Sequence, residues 1–135
     1  MSVAKNIVRV GTVSSTDYSA GTVRVIFADL DDRVSDHLPV LIPGGIGKIN
    51  PMPAAGDSVV CLFLGSSQEA GYCIGTFYDE SAPGTANECG VYFEDGSYVY
   101  YNKADQSLNI KAAGNVKIEG DLIVSGSITR AGELI

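Results

Sequence analysis

Apolar and polar residues alternate along most of this chain, in short runs broken by Gly, Pro, Asn, Asp and Ser. A period of two places successive side chains on opposite faces of a strand. "NIVRVGTVSS" (Asn6–Ser15) and "GTVRVIFAD" (Gly21–Asp29) read as two strands joined by a turn around "TDYSAG", and "HLPVLIP" reads as a short third. "GDSVVCLFLG" (Gly56–Gly65) and "AGYCIGTFYD" (Ala70–Asp79) read as a second hairpin across "SSQE". Helical periodicity is nearly absent. Five short strands at this spacing predict an all-β chain whose residues 1–79 form a five-stranded barrel of the OB type.

Residues 80–90, rich in small residues and containing Pro83-Gly84, read as a linker. Residues 91–112 predict a hairpin and a strand leading onward, with Asp95-Gly96 as the favoured type I′ turn pair. From Leu108 to the end the alternation predicts one long strand, and in 113–135 a glycine returns every sixth residue, at Gly114, Gly120, Gly126 and Gly132. Leu108, Ile110, Val116, Ile118, Leu122, Val124 and Ile128 share the even face; Lys117 and Glu119 fall on the polar odd face, which Ile123 and Ile135 interrupt. Burying those aliphatics would not offset the entropy of ordering the whole segment, and the bare strand edges would lack partners. No second apolar strand remains to cover them, so identical chains around a symmetry axis are the expected supply. A hexad with a corner glycine fits an intertwined, trimeric β-helix or three-sided β-prism; four corners are too few for a single-chain β-helix. Arg130 falls on the inward face, where three guanidinium groups would need counter-charges. Glu133 and the carboxylate of Ile135 are the nearest acids, with Leu134 and Ile135 as an apolar cap at the tip.

Composition narrows the chemistry. Sixteen acids against nine bases give a net charge of −7, which opposes binding a nucleic-acid backbone. Three cysteines, Cys61, Cys73 and Cys89, have no metal-like spacing and are expected reduced and buried in strands; a Cys61–Cys73 bridge stays open, though nothing local favours it. The chain shows no long apolar run, signal peptide or lipidation motif, so synthesis in a cytoplasm is expected. "PGGIGKIN" fails as a phosphate loop, with Ile42 where glycine is needed and Ile49 where Ser or Thr is needed. "DLDDRV" lacks the glycine and the bidentate acid of a calcium loop; Val34 and Val40 stand there. His37 is the sole histidine and no G-x-S-x-G elbow accompanies it. Tyr92, Tyr98, Tyr100 and Tyr101 suit cross-strand packing better than base stacking. No catalytic, cofactor or metal residues are expected.

The order of these pieces carries a resemblance. "VGTVSSTDYSAGTVRVIF", "LPVL" and "PAAGDSVVCLFLGSSQEAGYCIGTFYDE", followed by "FEDGSYVYYNKADQSLNI", resemble the phage baseplate assembly protein V family, the central spike of contractile tails, from about Ile7 onward. The resemblance implies a homotrimer without catalysis or cofactor, assembled in a bacterial host cytoplasm and carried in the virion tail. An OB collar would dock on baseplate hub and tail-tube proteins. A β-helical needle would be driven through the target cell envelope when the sheath contracts. Longer family members end in a metal-binding H-x-H apex; this sequence has no histidine after His37, which implies a metal-free tip or a separate tip protein. A different reading of the same residues is an OB module for single-stranded nucleic acid or oligosaccharide with a trimerising tail; an enzyme is the weakest reading.

Overall fold

The computed structural model describes residues 7–65 and 70–135, and its regular structure is all β, in antiparallel sheets, apart from one 3-10 turn at Ala28–Leu30. The strand start at Asn6 and the turn at Ser66–Glu69 lie outside the described residues. The chain divides into two compact units, Met1–Ser81 and Ala82–Ile135.

The first unit is one sheet. Strands β1 (Val8–Asp17), β2 (Thr22–Phe27), β3 (Arg33–Val34), β4 (Leu38–Pro39), β5 (Ser58–Phe63) and β6 (Gly71–Thr76) run in the order β3-β2-β1-β5-β6, with β4 also paired to β2. The expected third strand "HLPVLIP" is shortened to Leu38–Pro39, and the pair Arg33–Val34 is an addition. Two residues beyond Pro39 the chain changes partner. The Val40 N–H donates to Gly21 O at 3.0 Å and the Leu41 N–H to Cys73 O at 3.0 Å, so Val40 makes a lone parallel bridge to Cys73.

Alternation builds the core directly. Val23, Val25 and Phe27 of β2, Val59, Cys61 and Phe63 of β5, and Cys73 of β6 all point inward with Val13 and Leu38. Phe27 and Phe63 meet edge to face with centroids 5.7 Å apart. A bulge changes the pattern in β1: Val13 pairs with Val25, but Ser15 pairs with Arg24, leaving Ser14 as an extra residue. Inward positions therefore shift from odd to even, and Thr16 donates its hydroxyl to Pro53 O at 2.7 Å. Ser35, the buried polar residue of this core, is satisfied: its Oγ accepts the Val25 N–H at 2.9 Å and donates to Asp36 O at 2.7 Å.

The second unit holds a three-stranded meander, β7 (Glu88–Tyr92), β8 (Tyr98–Asn102) and β9 (Ser107–Lys111), and a small hairpin of β10 (Thr129–Arg130) and β11 (Glu133–Leu134). The Asp95-Gly96 hairpin forms, but not with a type I′ turn. Gly96 alone is left-handed (φ 90°), the Gly96 N–H donates to Phe93 O, and the Phe93 N–H donates to Ser97 O at 2.8 Å. This is a type I turn followed by a left-handed glycine. Asp95 keeps its ordinary φ and accepts the Ser97 N–H at 2.9 Å.

The single long strand expected from Leu108 to the end is corrected more deeply. β9 stops at Lys111 because its partner β8 begins at Tyr98, opposite Lys111. Residues 112–128 belong to no strand of this chain, and Thr129–Leu134 turns back on itself through Ala131 (φ 51°) and Gly132 (φ 87°).

Gly11 shows how tightly the first unit is packed. A Cβ there would meet Val25 Cγ1 at 2.5 Å, Ile26 O at 2.7 Å and Phe27 Cδ1 at 2.9 Å, whereas Gly44 faces open space at an ordinary φ. Gly11→Val should overpack this site by about 1–3 kcal/mol. Native-state hydrogen exchange at the Val25 amide should then quicken by roughly 5- to 150-fold; Gly44→Ala should leave it within about twofold.

Candidate functional site

The register of the meander sorts its side chains into two unlike faces. Val91, Val99 and Ile110 stand in one row, and Cys89, Tyr101 and Leu108 in the next, all on one side. Every one of these six is exposed, with Leu108 at 65%. The side of this sheet that would be a core therefore has no cover among the described residues of its own unit. Cys89, expected buried, is exposed for that reason.

The opposite face carries the tyrosines and the polar groups. Tyr98 and Tyr100 lie 4.9 Å apart between centroids and Tyr92 stacks on Tyr100 at 5.8 Å. Lys111 Nζ sits 5.8 Å above the Tyr98 ring. Gly90 stands directly opposite Tyr100, where any Cβ would collide with Val99 O and Tyr100. Desolvation, and then the charge of Glu88, holds the phenols of Tyr92 and Tyr100 above their ordinary value. They are neutral packing groups. Tyr92 thus packs across strands on Tyr100, Tyr98 and Tyr100 are neighbours along β8, and Tyr101 belongs to the apolar face.

The apolar face leads into the segment without strands. The Ala113 N–H donates to Ser97 Oγ at 2.9 Å, and past that point Val116, Ile118, Leu122, Val124 and Ile128 are all exposed, as is Ile123 at 92%. The glycines of this segment are not alike: Gly120 (φ 133°) and Gly132 are left-handed, Gly114 and Gly126 are not, and a Cβ would meet open space at all four. In the small hairpin Arg130 stands opposite Glu133, the Ile135 N–H donates to Ile128 O at 3.0 Å, and Leu134 and Ile135 remain exposed.

The first unit offers less chemistry. Its outer surface carries a second apolar strip, in which Val8 pairs with Leu62 and Leu62 with Tyr72, and Val8, Val10, Tyr72 and Ile74 are exposed. A groove of about 390 Å³ runs between the β1–β2 turn and the 40–52 segment, walled by Tyr18, Pro39, Ile42, Ile49 and Met52 with Lys48 as its charge. Asp17 is turned inward on its own loop, accepting from Ser19 and Ala20. His37 lies exposed in the short connection between β3 and β4. Arg9 reaches Asp29 of the "DLDDRV" loop at 3.0 Å. Among the described residues no three His, Cys, Asp or Glu gather as a cation site. No protein-family model and no curated protein sequence matches this chain.

The turns that frame the apolar face are held by carboxylates. Asp95 accepts the Ser97 N–H, and Asp105 accepts the Ser107 Oγ–H at 2.7 Å and N–H at 3.1 Å; these bonds hold both carboxyls below the ordinary value of about 3.9. With the folded value depressed, the stabilisation is complete above pH ~4 and is lost as pH falls through the folded values. Asp95→Asn and Asp105→Asn should therefore lower the melting temperature at pH 7, with a deficit that shrinks toward pH 3. A deficit independent of pH would show that charge plays no part.

Proposed function

We propose that this protein is the homotrimeric central spike of a phage-type contractile tail baseplate, a mechanical part without catalysis or cofactor. The observation that carries the reading is the uncovered apolar face of β7–β9, continued by an apolar segment with no strand partner among the described residues. Such a face in water favours association, and the free strand edges favour association through backbone pairing. Three copies around an axis would supply both at once, with Leu108, Ile110, Val116, Ile118, Leu122, Val124 and Ile128 turned inward as a β-helical or prism-shaped shaft. Arg130 and Glu133 would close the tip beside Leu134 and Ile135, as a cap or as the seat of a separate tip protein.

The pairing of the first unit supports the collar. β1 lies between β2 and β5, β5 pairs with β6, and the Val40–Cys73 bridge links the β4 end to β6 in parallel. We infer that these pairings close a five-stranded barrel of OB type, with β3 as an added edge. Docking on hub and tail-tube proteins, and passage of the needle through a target envelope, are implied by the resemblance alone. The OB-module reading with single-stranded nucleic acid is disfavoured by the net charge of −7.

Sedimentation of the full chain should give a trimer. Ile118→Asp would bring a charge from each copy to one axis without counter-charge, and should yield monomer or aggregate; a trimer melting as the parent does would sink this register. Tight, salt-sensitive binding of single-stranded DNA would favour the other reading instead.

The glycines allow a separate check. Gly120→Val and Gly126→Val should lower the melting temperature of the trimer, because a branched side chain would fill a corner or a crowded interior, while Ser125→Val should leave it nearly unchanged. Equal effects at Gly126 and Ser125 would rule out the corner geometry.

A further inference from the structure

Two thiols lie in the core of the first unit, and the proposed spike makes no use of them. Cys61 of β5 and Cys73 of β6 are direct cross-strand partners, both fully buried and both free. Their backbone orientation follows from one hydrogen bond. Cys73 O accepts from the Leu41 N–H on the side away from β5, so Cys73 occupies a non-hydrogen-bonded position opposite Cys61. At such positions the Cα atoms of antiparallel neighbours come to about 4.5 Å and the side chains are closest. That separation lies within the range of about 4.4–6.8 Å that a disulfide spans. The pair also sits two residues from the end of β5 at Phe63 and from the start of β6 at Gly71, and strand ends open locally more readily than strand centres.

We propose that Cys61 and Cys73 are a redox pair that closes into a cross-strand disulfide on meeting a peroxide, stapling β5 to β6. The proposal stands on the first unit alone and does not depend on the spike reading.

The local chemistry sets the order of events. A hydrogen bond from Cys61 holds the Cys73 thiol below its ordinary value against the opposing effect of burial, with the Gly75 N–H assisting. The same bond, and then burial, pushes the Cys61 thiol up. The Gly75 N–H, which serves Cys73 and not Cys61, favours Cys73 as the first thiolate and so as the nucleophile. Its sulfur attacks one oxygen of hydrogen peroxide, the O–O bond breaks, and hydroxide leaves a sulfenic acid on Cys73. Cys61 sulfur then attacks Cys73 Sγ, the S–O bond breaks, and the Cys61 proton leaves with the departing oxygen as water. The proton first lost by Cys73 neutralises the hydroxide. Two thiols and one peroxide become one disulfide and two waters; sulfur is oxidised and peroxide reduced.

The test uses the full chain with the exposed Cys89 replaced, Cys89→Ser, treated with hydrogen peroxide. Expected are a mass loss of two hydrogens per chain, a digest in which the Cys61 and Cys73 peptides are linked, and no free thiol after unfolding. The staple should raise the melting temperature of the first unit by about 10 °C or more, and dithiothreitol should reverse it. Two thiols still titratable after unfolding, or oxygen added to either sulfur without a cross-link, would overturn the proposal. Cys73→Ala in the same background, run in parallel, should form no disulfide; if it does, the bridge joins different chains and the intrachain pair is wrong.

Discussion

A β-strand is completed by its neighbours, because each residue presents an N–H and a C=O that alternate strands must answer. In this chain the supply of neighbours ends at one register position, Tyr98 opposite Lys111. Before it, every strand of the meander has a partner. After it, residues 112–128 carry an apolar alternation that no described residue receives. The exposed face of β7–β9, with Cys89 on it, is a second shortage in the same unit, of a layer to cover the sheet rather than of a strand to pair with.

The first unit resolves the same constraint internally. Its alternating residues converge on Phe27, Phe63 and Leu38, and the buried hydroxyl of Ser35 is placed to answer the Val25 N–H beside the core. There the pattern in the sequence and the packing agree, since an odd-position core in β2, β5 and β6 is what strict alternation requires. Two departures, the Ser14 bulge and the short β4, are local. Ser14 adds a residue to one strand only, and after Val40, whose N–H still donates to Gly21 O, Leu41 turns to Cys73 O of β6. Neither is visible in a pattern of apolar and polar letters, because both depend on which acceptor lies across the sheet.

The second unit was legible to a different degree. The hairpin over 91–112 and its Asp-Gly turn could be read from residue types, but the turn type could not: it hinges on Asp95 accepting the Ser97 N–H, which keeps Asp95 out of the left-handed region. The alternation from Leu108 correctly marks a continuous apolar face through Ile110, yet alternation alone cannot extend a strand beyond its partner. The sixfold glycine spacing is likewise regular in sequence while Gly114 and Gly126 differ from Gly120 and Gly132 in backbone. Periodicity specifies which side chains share a face; hydrogen-bond partners decide whether the face exists.

That distinction bears on how the tail can be read at all. An apolar, partnerless segment invites association of any kind, including disordered clustering, and hydrophobicity does not choose among them. Geometry can choose. Lys117, Glu119 and Asp121 alternate with Ile118 and Leu122, so a flat stack of identical strands would set like charges in register along one face, which is unfavourable. A turn at each glycine instead divides the segment into short faces and spreads those charges around an outside surface. The polar positions thus argue against open stacking as firmly as the apolar ones argue for a partner, and a closed assembly of few copies meets both demands.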